Sequence, residues 1–258
     1  MPFHLKRTEP PARGVRRVCR EHIRKAHGCL RQVARPATVH GVRKEIKKLR
    51  AILRLVQDER GRDTGRVMSK ALCRAADRLA VPRDAQVTLA AFKKLTAPAA
   101  VRRFPQIQKA LQKKCRRETR RFLSDDSVAV AGKILRKANR RVAGLKIKRA
   151  GWKAFEPGLR RGYRCGRLAF KCARREPSPD NFHAWRKQVK NFWYQLRLLC
   201  PDWPAAARAM TKKLDRLGEL LGDDHDLFLL QQFVAETCAG WPEERDALNP
   251  LIKSRREK

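Results

Sequence analysis

His40, Arg43, Lys44, Lys47, Arg50 and Arg54 recur at helical spacing through VHGVRKEIKKLRAILRLV, residues 39–56. His183, Arg186, Lys187, Lys190 and Arg197 do the same through FHAWRKQVKNFWYQLRLL, residues 182–199. The chemistry these side chains support is the binding of anionic oxygen. Arginine offers a planar, permanently charged fork that matches two phosphate oxygens, and lysine a mobile point charge. A protonated histidine adds a further donor. At about 100° per residue, His40, Arg43, Lys47, Arg50 and Arg54 share an arc less than about a quarter-turn wide, which Lys44 and Lys48 extend. The second segment repeats the stripe, with Lys187 and Tyr194 beside it. Four helical turns carry such a row over roughly 20 Å.

A charged helix face usually mixes signs to gain ion pairs at i,i+4. These stripes are nearly single-signed, so neighbours repel. They also adjoin the apolar face instead of opposing it, which places them at the rim of a groove between packed helices and not on a merely solvated surface. Arg160, Arg164, Arg167 and Lys171 form a comparable row, as do Arg17, Arg20 and Arg24 with Arg13 and Arg31 near the N-terminus. His40 and His183 each sit just inside an expected helix start, where they either donate to phosphate or bridge to a carboxylate. Asp84 and Asp226 lie near expected helix N-termini. Each either stabilises its helix there or orients the basic row by ion pairing. The doublet His225-Asp226 also suggests a metal phosphohydrolase, but its counterpart Arg83-Asp84 lacks the histidine and no other His/Asp set has ligand spacing. No metal or cofactor is expected.

The elements that position these rows repeat. The two segments are offset by 143 residues, and Val39, Val42, Ile46, Leu49, Leu53 and Val56 align with Phe182, Trp185, Val189, Phe192, Leu196 and Leu199. Leu79–Asp84 echoes Leu221–Asp226 at an offset of 142, and Gly14–Arg17 echoes Gly158–Arg161 at 144. Three segments in one order at nearly one offset point to a duplicated helical module. Helical periodicity dominates throughout and strand signals are nearly absent. The pattern predicts helices over about 11–34, 38–57, 64–80, 83–96, 99–123, 127–147, 152–175, 179–199, 204–221, 224–239 and 242–256, with Pro105 an alternative start for the fifth. The expected architecture is all-α: a short tail over 1–10, then one domain over 11–256. Two pseudo-symmetric bundles, about 11–147 and 148–256, surround a basic central groove in it.

Composition narrows the partner. An apolar share of 42% supports a real core, whereas 63 Lys+Arg against 25 Asp+Glu leave a net charge of +38. Solubility needs far less charge than that, and self-repulsion opposes compaction. A polyanion is therefore expected: nucleic acid, an anionic membrane surface or polyphosphate. Eight cysteines lie scattered in helical patterns without Cys-x-x-Cys spacing. They read as buried free thiols of a reducing cytosol. The N-terminus has no signal-peptide core, and no apolar run is long enough to span a bilayer.

The motifs His40-x-x-Arg43-Lys44-x-x-Lys47-Lys48-x-Arg50, His183-x-x-Arg186-Lys187-x-x-Lys190, Arg83-Asp84-Ala85 and Leu217-Gly-Glu-Leu-Leu-Gly-Asp-Asp-His225-Asp226, in this order, resemble the CHAD family (conserved histidine α-helical domain). The resemblance covers about 11–256. It implies two related helical bundles, basic surfaces around a central groove or pore that bind inorganic polyphosphate, and association with polyphosphate granules. Some members are fused to a triphosphate tunnel phosphohydrolase domain, whose acidic ExExK strand is missing here, so no catalysis is expected. Asn191 at the Lys48 position and Arg83 at the His225 position depart from the repeat.

The reading that results is a non-enzymatic, cytoplasmic polyphosphate binder using the four basic rows. Nucleic acid is the secondary partner, because single-strand binders place stacking aromatics within their basic surface. Trp152, Trp185 and Phe192 fall on apolar arcs and read as core, leaving Tyr194 as the one ring near a stripe.

Overall fold

The computed structural model describes residues 3–6, 8–32, 36–57, 64–147, 150–199 and 205–257. The expected breaks at Arg35, over 58–63 and over 200–204 fall outside these, as does Cys200. Among the described residues every regular element is helical. The order is α1 (Pro11–Arg31), α2 (Pro36–Leu55), α3 (Thr64–Arg78), α4 (Val81–Ala100), a 3-10 turn (Val101–Arg103), α5 (Pro105–Ser124), α6 (Ser127–Val142), a second 3-10 turn (Gly151–Ala154), α7 (Glu156–Arg175), α8 (Pro179–Leu199), α9 (Ala205–Thr237) and α10 (Pro242–Glu257).

Prolines begin several of these helices. Pro11, Pro105 and Pro157 occupy first-turn positions, where the missing N–H is one that the helix leaves unbonded anyway and the fixed φ suits helical geometry. Pro105 thus starts α5, and the expected break at Ala97-Pro98 is absent, since α4 runs on to Ala100. The main correction concerns Leu221–Asp226. Two helices meeting there were expected, but α9 continues unbroken for 33 residues. Gly222 does not stop it, because a single glycine costs a helix only about 1 kcal/mol and Leu221, Leu227 and Leu230 around it are buried. His225 and Asp226 therefore lie inside a helix and not near its N-terminus.

Contacts sort the chain into two compact units, residues 1–79 with 126–219 and residues 80–125 with 220–258. Each unit draws on both sequence halves.

In the first unit α2 packs against α1, α3, α7 and α8, α6 packs against α1 and α3, and α7 against α8. The expected apolar row of α2 is the core. Val42, Ile46 and Leu49 are fully buried, together with Val15, Val18 and Ile23 of α1 and Leu72 of α3. The matching row of α8 is looser, with Val189 and Leu196 buried but Phe182, Trp185 and Phe192 only half-buried. Trp152, expected in the core, is 49% exposed. The cysteines also divide: Cys19 and Cys238 are buried, whereas Cys165 and Cys172 are exposed.

Phe3 and Leu5, ahead of α1, are packed against the first unit. Phe3 lies edge-on to His22 and Tyr194, with ring centroids 5.0 and 5.9 Å away, and the Leu5 amide donates to the Leu198 carbonyl at 2.8 Å.

The second unit closes over Phe92, Phe104, Ile107, Leu111, Leu230, Phe233 and Ile252. Glu244 accepts from the Gln106 and Ile107 amides at 3.0 Å each, a carboxylate at the positive end of α5.

The first unit depends on one close helix crossing. A Cβ on Gly158 would stand 1.8 Å from the Leu55 carbonyl oxygen, so α7 meets the end of α2 with no room for a side chain. Arg161, one turn on, donates to the Arg54 and Gln57 carbonyls at 2.9 and 3.1 Å, closing off the end of α2. Gly158→Ala is expected to cost at least about 1–3 kcal/mol, the usual penalty of overpacking. A thermal melt that does not move would contradict this crossing.

Candidate polyanion-binding site

All the residues of the four cationic rows fall in the first unit, whereas Arg83, Asp84 and Asp226 belong to the second. The two repeated helices pack directly on each other. The Gln195 side-chain amide of α8 donates to the Ala51 carbonyl of α2 at 3.4 Å. Gln195 and Ala51 are one residue out of register in the repeat, so the helices cross at nearly equivalent levels.

On α2, His40, Lys44 and Lys47 are exposed, and Arg43, Arg50 and Arg54 are half-buried. Arg43 donates to the Ala76 carbonyl near the end of α3, which fixes its guanidinium at the helix surface. The Nε of Arg50 is buried and has no hydrogen-bond partner among the described residues. Burial and then the Arg50 charge lower the pKa of Arg54, so the end of this stripe is a place where positive charges crowd.

On α8, His183, Arg186 and Lys190 are half-buried, and Lys187 and Arg197 exposed. The Nε of Arg186 is likewise buried without a hydrogen-bond partner among the described residues. Lys190 and Arg197 both lie against the Trp193 ring, 4.5 and 4.7 Å from its centroid, and Gly218 of α9 leaves room for the Lys190 stem. This ring–cation contact orders two long side chains. Arg160, Arg164, Arg167 and Lys171 of α7, and Arg20 and Arg24 of α1, are exposed.

Three expected members lie elsewhere. Arg17 is held by Glu9 and Glu21, at 2.5 and 3.2 Å. Lys48 is 9% exposed and pairs with Glu45 at 2.8 Å; Glu45 also accepts from His22. Tyr194 is buried between Phe3 and Trp193, and burial pushes its phenol up to about 12. Arg17 is half-buried in its ion pairs, whereas Lys48 and Tyr194 are buried.

Sequence reasoning missed the carboxylates that meet the stripes. Lys190 pairs with Asp215 at 3.2 Å, and Arg160 with Glu156 at 3.0 Å. The second pair has a signal in its i,i+4 spacing, whereas nothing in the sequence ties Asp215 to Lys190. Asp84 lies in the first turn of α4. Asp226 lines a cleft of about 130 Å³ with Arg83, Lys94, Asp223 and Arg255. Among the described residues no group of His, Cys, Asp or Glu could hold a metal ion, and no helix is long and apolar enough to cross a membrane.

A family model described as the CHAD domain matches residues 15–235, a span that includes both repeated helices. The solved structure titled "Crystal structure of the CHAD domain from the plant Ricinus communis" matches with a TM-score of 0.61 at 19% identity, over 100% of this chain and 86% of that one. At that identity the likeness is one of fold. No curated protein matches the sequence. With the family model spanning most of the chain and the fold shared with a CHAD structure, this protein belongs to the CHAD domain family.

Proposed function

We propose that the chain binds inorganic polyphosphate, without acting on it chemically, through the cationic faces of α2 and α8 and the neighbouring rows of α1 and α7. The observation that carries this reading is the pair of buried guanidinium nitrogens, Arg50 Nε and Arg186 Nε, without acceptors among the described residues. They lie beside the cationic faces of two helices that pack against each other. An unbonded buried N–H costs about 1–3 kcal/mol, and a turn of the guanidinium that brings it onto a phosphate oxygen would remove that cost. Polyphosphate has no bases and needs little besides ordered cations. The reading extends to pseudo-symmetry of the two halves around a shared groove and to a cytoplasmic protein recruited to polyphosphate granules.

The test is competition. Labelled long-chain polyphosphate should be displaced by unlabelled polyphosphate at far lower phosphate concentration than by duplex DNA. Equal displacement per phosphate would reduce the interaction to net charge. Asp215→Asn supplies a second check: it frees Lys190, and polyphosphate affinity is expected to rise about two- to fivefold at low salt, the scale of one partly exposed ion pair. A fall in affinity would show that the pair positions Lys190 for the ligand.

A further inference from the structure

Of the 20 residues of α7, only Gly158, Leu159, Gly162 and Ala173 are buried. The rest of the helix presents an unusual surface. Arg160, Arg164, Arg167 and Lys171 share one arc, and aromatic rings flank it: Tyr163 is 48% exposed and Phe170 42%. Trp152, in the 3-10 turn before α7, is 49% exposed. Exposed rings of this size within a cationic surface are not explained by the core, which they do not join.

The rings are also arranged. Trp152 and Tyr163 line a cleft of about 390 Å³ with Leu159, Phe192, Leu196 and Met210, and Arg160 stands at it. Arg167 lies 5.9 Å from the Tyr163 ring centroid, and Phe192 supports that ring at 6.1 Å. The volume falls in the range of small-molecule sites. Its lining is almost wholly apolar, so a flat heterocycle would be held by stacking and not by hydrogen bonds to its edges.

We propose that the exposed face of α7, with Trp152, binds single-stranded nucleic acid: bases stack on Trp152 and Tyr163 while the Arg160–Lys171 row neutralises the phosphates. Alternating cations and π-faces match a polymer that alternates phosphates and bases. Polyphosphate has nothing to place on the rings, and a duplex keeps its bases stacked inside. An anionic membrane would favour apolar groups along one face of the helix, but here they border a cationic centre. An acidic peptide could satisfy the cations, and the experiment separates it. Because the rings carry this proposal, it stands or falls apart from the polyphosphate reading.

The experiment measures the affinity of the full chain for an oligonucleotide of about 12 residues, within the usual site sizes of single-strand binders. The comparison probe is an abasic oligomer with the same number of phosphates. Trp152→Ala and Tyr163→Ala should each weaken oligonucleotide binding about tenfold, within the roughly 5- to 150-fold that one lost stack implies. Tyr163→Phe, which keeps the ring, should bind as the parent does. Polyphosphate affinity of all three should stay within about twofold, which also shows that they fold. The abasic oligomer should bind the parent about as weakly as the base-bearing one binds the double alanine variant. The proposal is overturned by equal affinity for abasic and base-bearing oligomers, by parallel losses for polyphosphate, or by a poly-glutamate peptide that displaces the oligonucleotide at equal charge.

Discussion

Replacing Arg43, Lys47, Arg186 and Lys190 together with alanine is expected to reduce the slope of log affinity for polyphosphate against log salt by roughly three. Each neutralised phosphate on a single-stranded polyanion contributes about 0.7 to that slope through released counterions. The four residues occupy equivalent places on two helices that pack on each other. Arg43 is already held by the Ala76 carbonyl and Lys190 lies on the Trp193 ring, so they meet the ligand with less side-chain entropy left to lose than a free surface lysine. The comparison must remove four positive charges elsewhere. The C-terminal residues Lys253, Arg255, Arg256 and Lys258 are unsuitable, because Arg256 is tied to Asp224 at 2.8 Å and to Gln231, and Lys258 lies outside the described residues. Lys109, Lys113, Arg116 and Arg120 on the exposed face of α5 are better, since they form a single-signed ridge in the other unit. Titration of both quadruple variants at several salt concentrations decides the matter. Equal slopes and equal losses would assign the interaction to net charge and remove the α2–α8 site.

Glu45→Ala is expected to cost about 3–5 kcal/mol of stability, the scale for breaking a buried ion pair from one side. The substitution strips the carboxylate from Lys48 and from His22, whose side chain is fully buried. The second copy of the repeat has Gln188 and Asn191 at the corresponding positions. The double variant Glu45→Gln, Lys48→Asn imports that neutral pair and should therefore lose less than Glu45→Ala alone, although one charge is changed in the latter and two in the former. Urea denaturation of the three proteins is the measurement, and a Glu45→Ala loss below about 1 kcal/mol would contradict the buried network. The same residue sets a pH dependence. Burial alone would raise the Glu45 pKa, but the hydrogen bonds from His22 and Lys48 win and hold it below the usual carboxylate range. A folded-state pKa below the unfolded one means that the stabilisation is complete above the ordinary glutamate range and is lost as pH falls through the folded value. Glu9, held down by its bond to Arg17, adds to the loss in the same direction. Glu45→Gln should flatten this acid limb.

The sequence by itself determined the helical fold, the apolar face of α2 and the existence of the cationic rows. Each depends on local periodicity, and a 3.6-residue repeat of side-chain type is enough to specify it. It also carried the family, because the motifs that follow that periodicity recur in order along the chain. The reach of α9 was not legible: Leu221-Gly-Asp-Asp reads locally as a stop, and only the burial of the leucines around it carries the helix through. The fates of individual charges were not legible either. Lys48 and Lys47 are neighbours in one basic run, yet Lys48 is buried on Glu45 while Lys47 is exposed. Asp215 reaches Lys190 across 25 residues of sequence, and Trp152 and Tyr194 exchange their expected places, the first exposed and the second buried. A wheel angle states which way a side chain leaves its own helix. Whether it then meets solvent, a carboxylate or another ring is decided by the elements packed against that helix, and their approach is set by long-range contacts such as Gly158 on Leu55 that no local pattern encodes.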